Sequence, residues 1–273
     1  MAFSVLMSVY AGTTATDLAA CLKSLATQEL PPDEIVIVED GLILEDTAEH
    51  IRIATSSLPI KSIPFSSNRG LGPALHDGLL SCAHELVARV DTDDRCLGRR
   101  FSLQVKFLYS NPNIAVVGGG LREWYGTSKK KMCKIRNGPT NPEAITDYAR
   151  KRNPLNHPTV MFRKSAVLES GNYQPCYLFE DYFLWVRMIQ AGYRLANLPD
   201  ILVETDVDFD YFRRRGGVKY CLSEFAFAQK LCQLGFLSAK DVAFFVASRL
   251  PFRMIPWRLR PFFYQTFLRL PYF

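Results

Sequence analysis

Leu86-Val87-Ala88-Arg89-Val90-Asp91-Thr92-Asp93-Asp94 reads as a short buried strand running straight into three carboxylates. Nearly continuous apolar residues suit a strand covered on both faces, the pattern of a parallel sheet. Three acids in four residues repel one another, and a fold tolerates them best where a hard divalent cation neutralises them. In an extended stretch Asp91 and Asp93, two apart, project to the same side and can share one metal-centred site. Mg2+ or Mn2+ takes one or two carboxylates and completes its shell with substrate phosphates. The competing reading is a solvated acidic loop at a strand end.

Upstream of this segment the same grammar repeats three times. The spacing predicts strands over residues 3–9, 35–38 and 60–65, and helices over 17–28, 47–57 and 73–82. Strands alternating with helices predict an α/β fold, a mostly parallel central sheet flanked by helices with a Rossmann-like half. Ligands of such sheets bind beyond the carboxyl ends of the strands. Those ends carry Ser8-Val9-Tyr10-Ala11, Glu39-Asp40-Gly41, Ser67-Asn68-Arg69-Gly70 and the acidic cluster. Polar groups from four places in the chain thus converge on one edge, which is a candidate site.

Downstream, the pattern weakens between residues 122 and 153, where Lys129-Lys130-Lys131 and Asn137-Gly138-Pro139 read as a mobile connection with solvated lysines. A compact region from 155 to 200 contains an apparent strand at 159–162 and a helix at 182–190. An apolar-rich helix over 219–234 ends at Gly235. Another opens at Ser238, with Asp241 three residues on as its capping-box partner, and runs to about Leu250. The chain divides into a unit over 1–210 and a helical, basic-aromatic C-terminal extension over 211–273.

The 273 residues are 48% hydrophobic and 22% charged, which excludes a disordered or fibrous chain. Seven cysteines, an odd number without a CxxC pair, argue against a disulfide framework or structural zinc and suit a reducing compartment. The first residues lack a basic region before their apolar run, so a signal peptide is not expected. No stretch reaches ~18 uncharged apolar residues, so neither is a spanning helix. The net charge of +6 is uneven. After Asp241 come no acids but five arginines (249, 253, 258, 260 and 269), and subtracting them leaves +1 for the first 241 residues. Phe252, Trp257, Phe262, Phe263, Tyr264, Phe267, Tyr272 and Phe273 are interleaved with them. Such a mixture suits single-stranded nucleic acid or an anionic membrane surface. Four prolines break any long helix and no RNA-binding motif accompanies them, so membrane contact is the expectation. An oligomer contact or a flap packed on the domain is the blander alternative.

Six segments in order resemble one family: SVLMSVYAG, SLATQELPPDEIVIVEDG, NRGLGPALHDGL, ARVDTDDR, NPLNHPTVMFRKSAVLESGNY and FEDYFLWVRM. The chain resembles the family-2 inverting nucleotide-sugar glycosyltransferases of GT-A fold, especially the bacterial branch that builds O-antigens, capsules and exopolysaccharides. The resemblance covers about residues 3–200. It implies that Val9, Tyr10 and Ala11 line the base pocket and that Asp40 bonds the uracil imide, with Asn68, Arg69 and Thr92 approaching the nucleotide. It implies that Asp91 contacts ribose or a metal-bound water and that Asp93 ligates Mn2+ or Mg2+. It also implies that Asp181, with Glu180 beside it, is the general base of a single displacement. Both acids also suit the N-terminus of a helix, where the dipole favours negative charge. His157 falls in a segment that sits under the donor diphosphate or the acceptor. Gly98 stands where proline is common and His76 where asparagine is usual. The implied donor is a UDP-sugar. The implied acceptor is a saccharide on a polyprenyl-diphosphate lipid, and the implied location is the cytoplasmic face of the inner membrane, with no nucleic acid. Trp124 and Trp185 are candidates for stacking on sugar rings, Trp185 reading better as core.

Two rivals fit the same composition. A nucleotidyltransferase acting on sugar phosphates would carry a basic glycine-rich loop after the first strand, where Tyr10-Ala11-Gly12-Thr13-Thr14 stands instead. A non-catalytic nucleotide-sugar-binding module would most simply have lost Asp93 or Asp181, and both are present.

Overall fold

The structure, a computed structural model, describes residues 1–127, 130–207, 209–256 and 260. Phe3–Val9 (β1), Glu34–Glu39 (β2), Ile60–Pro64 (β3) and Leu86–Arg89 (β4) lie parallel in the order β3-β2-β1-β4. Three helices make the crossovers, Ala15–Ala26 (α1), Glu45–Ala54 (α2) and Leu71–Ser81 (α3). Leu18, Cys21, Leu22 and Leu25 form the buried face of α1, as their spacing requires, and the Thr14 hydroxyl caps the helix by accepting the Asp17 N–H. Gly78 of α3 lies directly on the sheet, since a Cβ there would meet Leu6 Cδ1 at 2.6 Å and Val38 Cγ2 at 2.7 Å.

Beyond β4 the sheet becomes mixed. The further elements are Asp94–Cys96 (β5), Arg100–Ser110 (α4), Ile114–Thr127 (β6), Lys130–Arg136 (β7), Pro142–Ala149 (α5), Met161–Arg163 (β8), Lys164–Glu169 (α6), Glu180–Gln190 (α7) and Arg194–Val207 (β9). β8 runs antiparallel to both β4 and β6, β9 parallel to β6, and β5 antiparallel to β9. Register shifts along β6 and β9 fall at the Gly118–Gly120 run, and irregularities of this kind bend and twist a sheet. Gln104 of α4 stitches this seam, its side-chain amide donating to the carbonyls of Val117 at 3.0 Å and Thr159 at 2.8 Å.

The expected mobile connection over 122–153 is instead the β6–β7 hairpin followed by α5. Its strand alternation was hidden because polar residues hold it. Glu123 is buried and accepts the Tyr125 hydroxyl, while Arg122 and Trp124 both reach Glu204 across the ladder. Trp124 is thereby a strand residue, and Trp185 is fully buried core. Lys130 and Lys131 belong to β7, and Lys129 lies outside the described residues.

Among the described residues four C-terminal helices follow, Phe209–Arg214 (α8), Val218–Gln233 (α9), Ala239–Ala247 (α10) and Leu250–Met254 (α11). The Ser238–Asp241 capping box opens α10 as expected. α9 and α10 share a core with α7: Phe179 stacks on Phe227 at 4.7 Å, and Tyr182, Phe183, Leu231 and Phe245 join them. Glu224 of α9 is buried and paired with Arg249 at 3.2 Å and Arg253 at 3.0 Å. Arg260, also buried, donates to the carbonyls of Ile255 and Arg253. Three of the five tail arginines therefore serve internal contacts, which corrects the expectation that the tail's charge is all offered to an outside surface. Arg258, Arg269, Trp257 and the six aromatics from Phe262 onward lie outside the described residues. Among the described residues no helix is long and apolar enough to cross a membrane.

Glu224→Ala should destabilise the fold by about 3 kcal/mol, the scale for removing one partner of a buried ion pair. Chemical denaturation checks it, and a loss under 1 kcal/mol would show that Arg249 and Arg253 need no counter-charge.

Candidate active site

The site begins where β4 ends. The Asp94 N–H donates to the Asp91 carbonyl at 3.3 Å, so Asp91-Thr92-Asp93-Asp94 is a tight turn into β5, not the extended stretch that the sequence led us to expect. The chain must reverse here because β5 pairs antiparallel with β9. Thr92 and Asp94 point inward and are buried, Asp91 is half-buried, and Asp93 is exposed at the turn. Crowding by protein, then the Asp91 charge, raises the Asp93 pKa. Burial, then Asp91 and Asp93, pushes Asp94 well above the usual range. Negative potential over hard oxygen donors, relieved only in part by Arg89, fits a small divalent cation held by Asp93 and Asp91. Among the described residues no group of three or more His, Cys, Asp or Glu forms a ready-made cage, so substrate phosphates would have to complete the shell.

Arg89, the last residue of β4, is 1% exposed and pairs through Nη1 with Asp91 Oδ1. Its Nε is buried without a hydrogen-bond acceptor. On the neighbouring strand ends, Val9 is buried and Tyr10 and Ala11 are exposed. Asp40, at the end of β2, is buried, and its two carboxylate oxygens accept the backbone N–H groups of Arg69 at 2.7 Å and Gly70 at 2.9 Å. Asn68 donates to the Asp40 carbonyl. Gly70 takes φ +90°, a conformation suited to glycine, and opens α3. The Arg69 guanidinium lies 3.7 Å over the Phe65 ring and 2.5 Å from Asp77, which His76 also contacts.

An open cleft of about 1480 Å³ brings together Asp91, Arg89, His157, Glu180 and Asp181. Val9, Tyr10, Ala11, Asp40, Asn68, Arg69, Thr92 and Asp93 are not on its lining; the strand ends carry them beside it. Asp181 opens α7, with Oδ2 accepting from Asn153 Nδ2 at 2.6 Å and Oδ1 from the Tyr182 N–H at 2.7 Å. Burial raises its pKa, and these two donors oppose the rise. Glu180 is pushed up to about 7, by burial first and the Asp181 charge second. A Cβ on Gly72 would sit 3.5 Å from Glu180 Cβ, so the first turn of α3 lies against that of α7. His157 is buried, shares a 3.0 Å hydrogen bond with the Tyr173 hydroxyl and packs edge-on to Trp185. Burial, then the Arg89 charge, holds its pKa well below the ordinary value, so it is neutral at pH 7. The sequence reading missed Arg89 and Asn153. Arg89 was legible as a charge inside an apolar strand; nothing marked Asn153.

The arrangement sets a cation-compatible turn and a nucleotide-sized strand edge beside a carboxylate pair. Residues 4–170 match the family described as Glycosyl transferase family 2. The chain belongs to that family. It is a glycosyltransferase of GT-A fold. Among relatives of glycosyl transferase family 2, it is 36% identical to the amylovoran biosynthesis glycosyltransferase AmsE of Erwinia amylovora, over 96% of this chain and 98% of the other. It is 31% identical to the UDP-Gal:alpha-D-GlcNAc-diphosphoundecaprenol beta-1,3-galactosyltransferase of Escherichia coli, over 98% and 96%. The structure of S. aureus TarS 1–349 in complex with UDP-GlcNAc superposes with a TM-score of 0.69 at 18% identity, covering 99% of this chain and 77% of that one; the two share a fold.

The Glu180 pKa, about 7 in the fold against a usual 4.5, has a consequence for stability. Between those values the folded chain holds a proton that the unfolded chain has released, so stability falls as pH rises, and above pH 7 the whole penalty of about 3 kcal/mol is present. Glu180→Gln should therefore raise Tm at pH 8 and leave it unchanged at pH 4. Equal Tm shifts at both values would place the Glu180 carboxyl in ordinary solvent.

Proposed function

We propose that the protein moves a hexosyl unit, with inversion, from a UDP-sugar to a saccharide carried on a polyprenyl diphosphate, in the building of a bacterial surface polysaccharide. The observation that carries this reading is Asp181. It is a carboxylate held at both oxygens yet with lone pairs left over, lining the same cleft as Asp91. The relatives support the donor, acceptor and pathway class through the names of the amylovoran and diphosphoundecaprenol enzymes.

In this mechanism Asp181 takes the proton of the acceptor hydroxyl as that oxygen attacks the anomeric carbon from the face opposite UDP. Asn153 and the Tyr182 N–H orient Asp181 and oppose the rise in its pKa that burial causes. Glu180 flanks it as the second carboxylate. Asp93, with Asp91, would hold Mn2+ or Mg2+, which supplies Lewis-acid stabilisation of the charge on the departing diphosphate. Val9, Tyr10 and Ala11 would border the base. Asp40 fixes the Asn68-Arg69-Gly70 loop and retains lone pairs for the uracil imide. Thr92 and His157 would shape the floor without carrying charge. The chain would work on the cytoplasmic face of the inner membrane, where the last thirteen residues supply six rings and Arg269 for contact with the leaflet.

Asp181→Asn should lower kcat by ~10²–10⁴-fold with donor affinity retained. Asp93→Asn should abolish the stimulation of UDP binding by Mn2+. An Asp181→Asn enzyme that keeps its rate, while Glu180→Gln loses it, would move the base one residue upstream.

A chain ending at Arg260 keeps the Glu224 contacts and loses those six rings. It should sediment less with anionic liposomes than the full chain, and the difference should shrink in high salt. Equal sedimentation of both chains would remove the tail from membrane attachment.

A further inference from the structure

Nine basic and five acidic side chains line the cleft, an excess of four positive charges that the mechanism above does not use. Three of the five acids already face arginine: Asp91 pairs with Arg89, Glu224 with Arg249 and Arg253, and Asp241 stands 3.8 Å from Arg150. The other two are Glu180 and Asp181 at the heart of the site. The donor's diphosphate is accounted for at the Asp91–Asp93 turn. Surplus charge lies elsewhere on the lining, where Arg136 ends β7 and Lys151 follows α5 beside the Asp241-facing Arg150.

We propose that Arg136, Arg150 and Lys151 form a subsite for the diphosphate of the acceptor, with Phe244 and Phe252 beyond them receiving the start of its apolar chain. The proposal rests on the reading of the site as one that glycosylates a lipid-linked saccharide. Three observations carry it. The first is that one hydrogen bond ties the basic rim to the proposed base: Asn153, two residues past Lys151, donates to Asp181 Oδ2 at 2.6 Å. The second is that the rim is built. The Arg136 carbonyl accepts from the buried Asn156 amide at 2.9 Å, and the Arg150 guanidinium lies 5.4 Å over the Phe236 ring. The third is what stands next to it. Asp241, the acid facing Arg150, opens α10, and three residues on Phe244 lines the cleft while 68% exposed. An exposed ring at the mouth of a cationic cleft suits an amphiphile, and Phe252 of α11 lines the same mouth. Carboxylates, cations and rings line one cleft, the three chemistries that a saccharide joined to a diphosphate joined to an apolar chain requires. Arginine suits the task, because its guanidinium bonds phosphate oxygens in pairs.

The test compares three water-soluble acceptors built on the same GlcNAc: one with a diphosphate and short alkyl tail, one with the monophosphate and tail, and one with a neutral alkyl glycoside. In an Arg136→Gln/Arg150→Gln enzyme, KM for the diphosphate acceptor should rise about tenfold or more, the scale for lost hydrogen bonds to a charged group. KM for the neutral glycoside and for the UDP-sugar should not move. Calorimetric titration of the diphosphate compound without donor should show the same loss of affinity, so the subsite is read even if turnover is absent. Measurable binding with no transfer by the wild type would overturn the proposed reaction and spare the subsite. Equal losses for the neutral and diphosphate acceptors would overturn the subsite and make the rim structural. An unchanged KM accompanied by weaker sedimentation with anionic liposomes would also overturn it, and assign the rim to lipid headgroups.

Discussion

One buried guanidinium holds the site together. Arg89 ends β4 with 1% of its surface exposed and pairs with Asp91. Its positive charge also opposes the rise in pKa at Asp93, Asp94, Glu180 and Asp181. Five acids gathered at two chain segments would otherwise repel one another in surroundings that disfavour every one of them as an anion. A buried charge is costly unless compensated, so Arg89 and the carboxylates are stable only as a set. Burial first, and the Arg89 charge second, lower the His157 pKa, and the ring packs against Trp185 and shares a hydrogen bond with Tyr173. Burial thus sets the direction of each of these shifts, and Arg89 moderates it for the carboxylates.

Geometry is coupled in a similar way through α3. Its approach loop is pinned from below by Asp40, whose carboxylate accepts two consecutive backbone N–H groups. Its first turn touches α7 where Gly72 faces Glu180, and its middle lies on β1 and β2 through Gly78. Three glycines in twelve residues thus have three separate reasons: a positive φ at Gly70, a contact between helix ends at Gly72, and direct helix-on-sheet packing at Gly78. The Asn68-Arg69-Gly70 loop and the carboxylate pair on α7 thus meet at the first turn of α3.

The parallel half of the fold was legible because its hydrophobic pattern is local. Strands β1, β2 and β4 are mostly apolar runs, α1 shows its face at three- and four-residue spacing, and the Ser238 cap declares α10. The mixed half was not, since its strands depend on partners far away in sequence. β6 carries Arg122, Glu123 and Trp124 in succession, a string that reads as loop until Glu204 of β9 is placed opposite. The acidic turn was found by its composition and misjudged in shape, because pairing of β5 with β9 decides where the chain bends. Asp181 was found without Asn153, twenty-eight residues away, because a side-chain hydrogen bond between remote loops leaves no periodic trace.

Charge counting over the tail failed for a related reason: it records sign and not direction. Arg249 and Arg253 converge on Glu224 from α11 and its approach, and each also lies over a ring, Phe245 at 3.4 Å and Tyr220 at 4.3 Å. Two cations on one buried carboxylate leave a net positive wall whose members are fixed in place, and fixed cations are better at recognising a particular anion than at spreading over a fluid surface. The C-terminal helices accordingly belong to the catalytic unit, sharing the core of α7 and bordering its cleft. The proposed membrane contact rests on the six rings and Arg269 past Arg260. The proposed recognition of the acceptor's diphosphate falls to Arg136, Arg150 and Lys151, which line the same cleft as the Glu224-paired arginines.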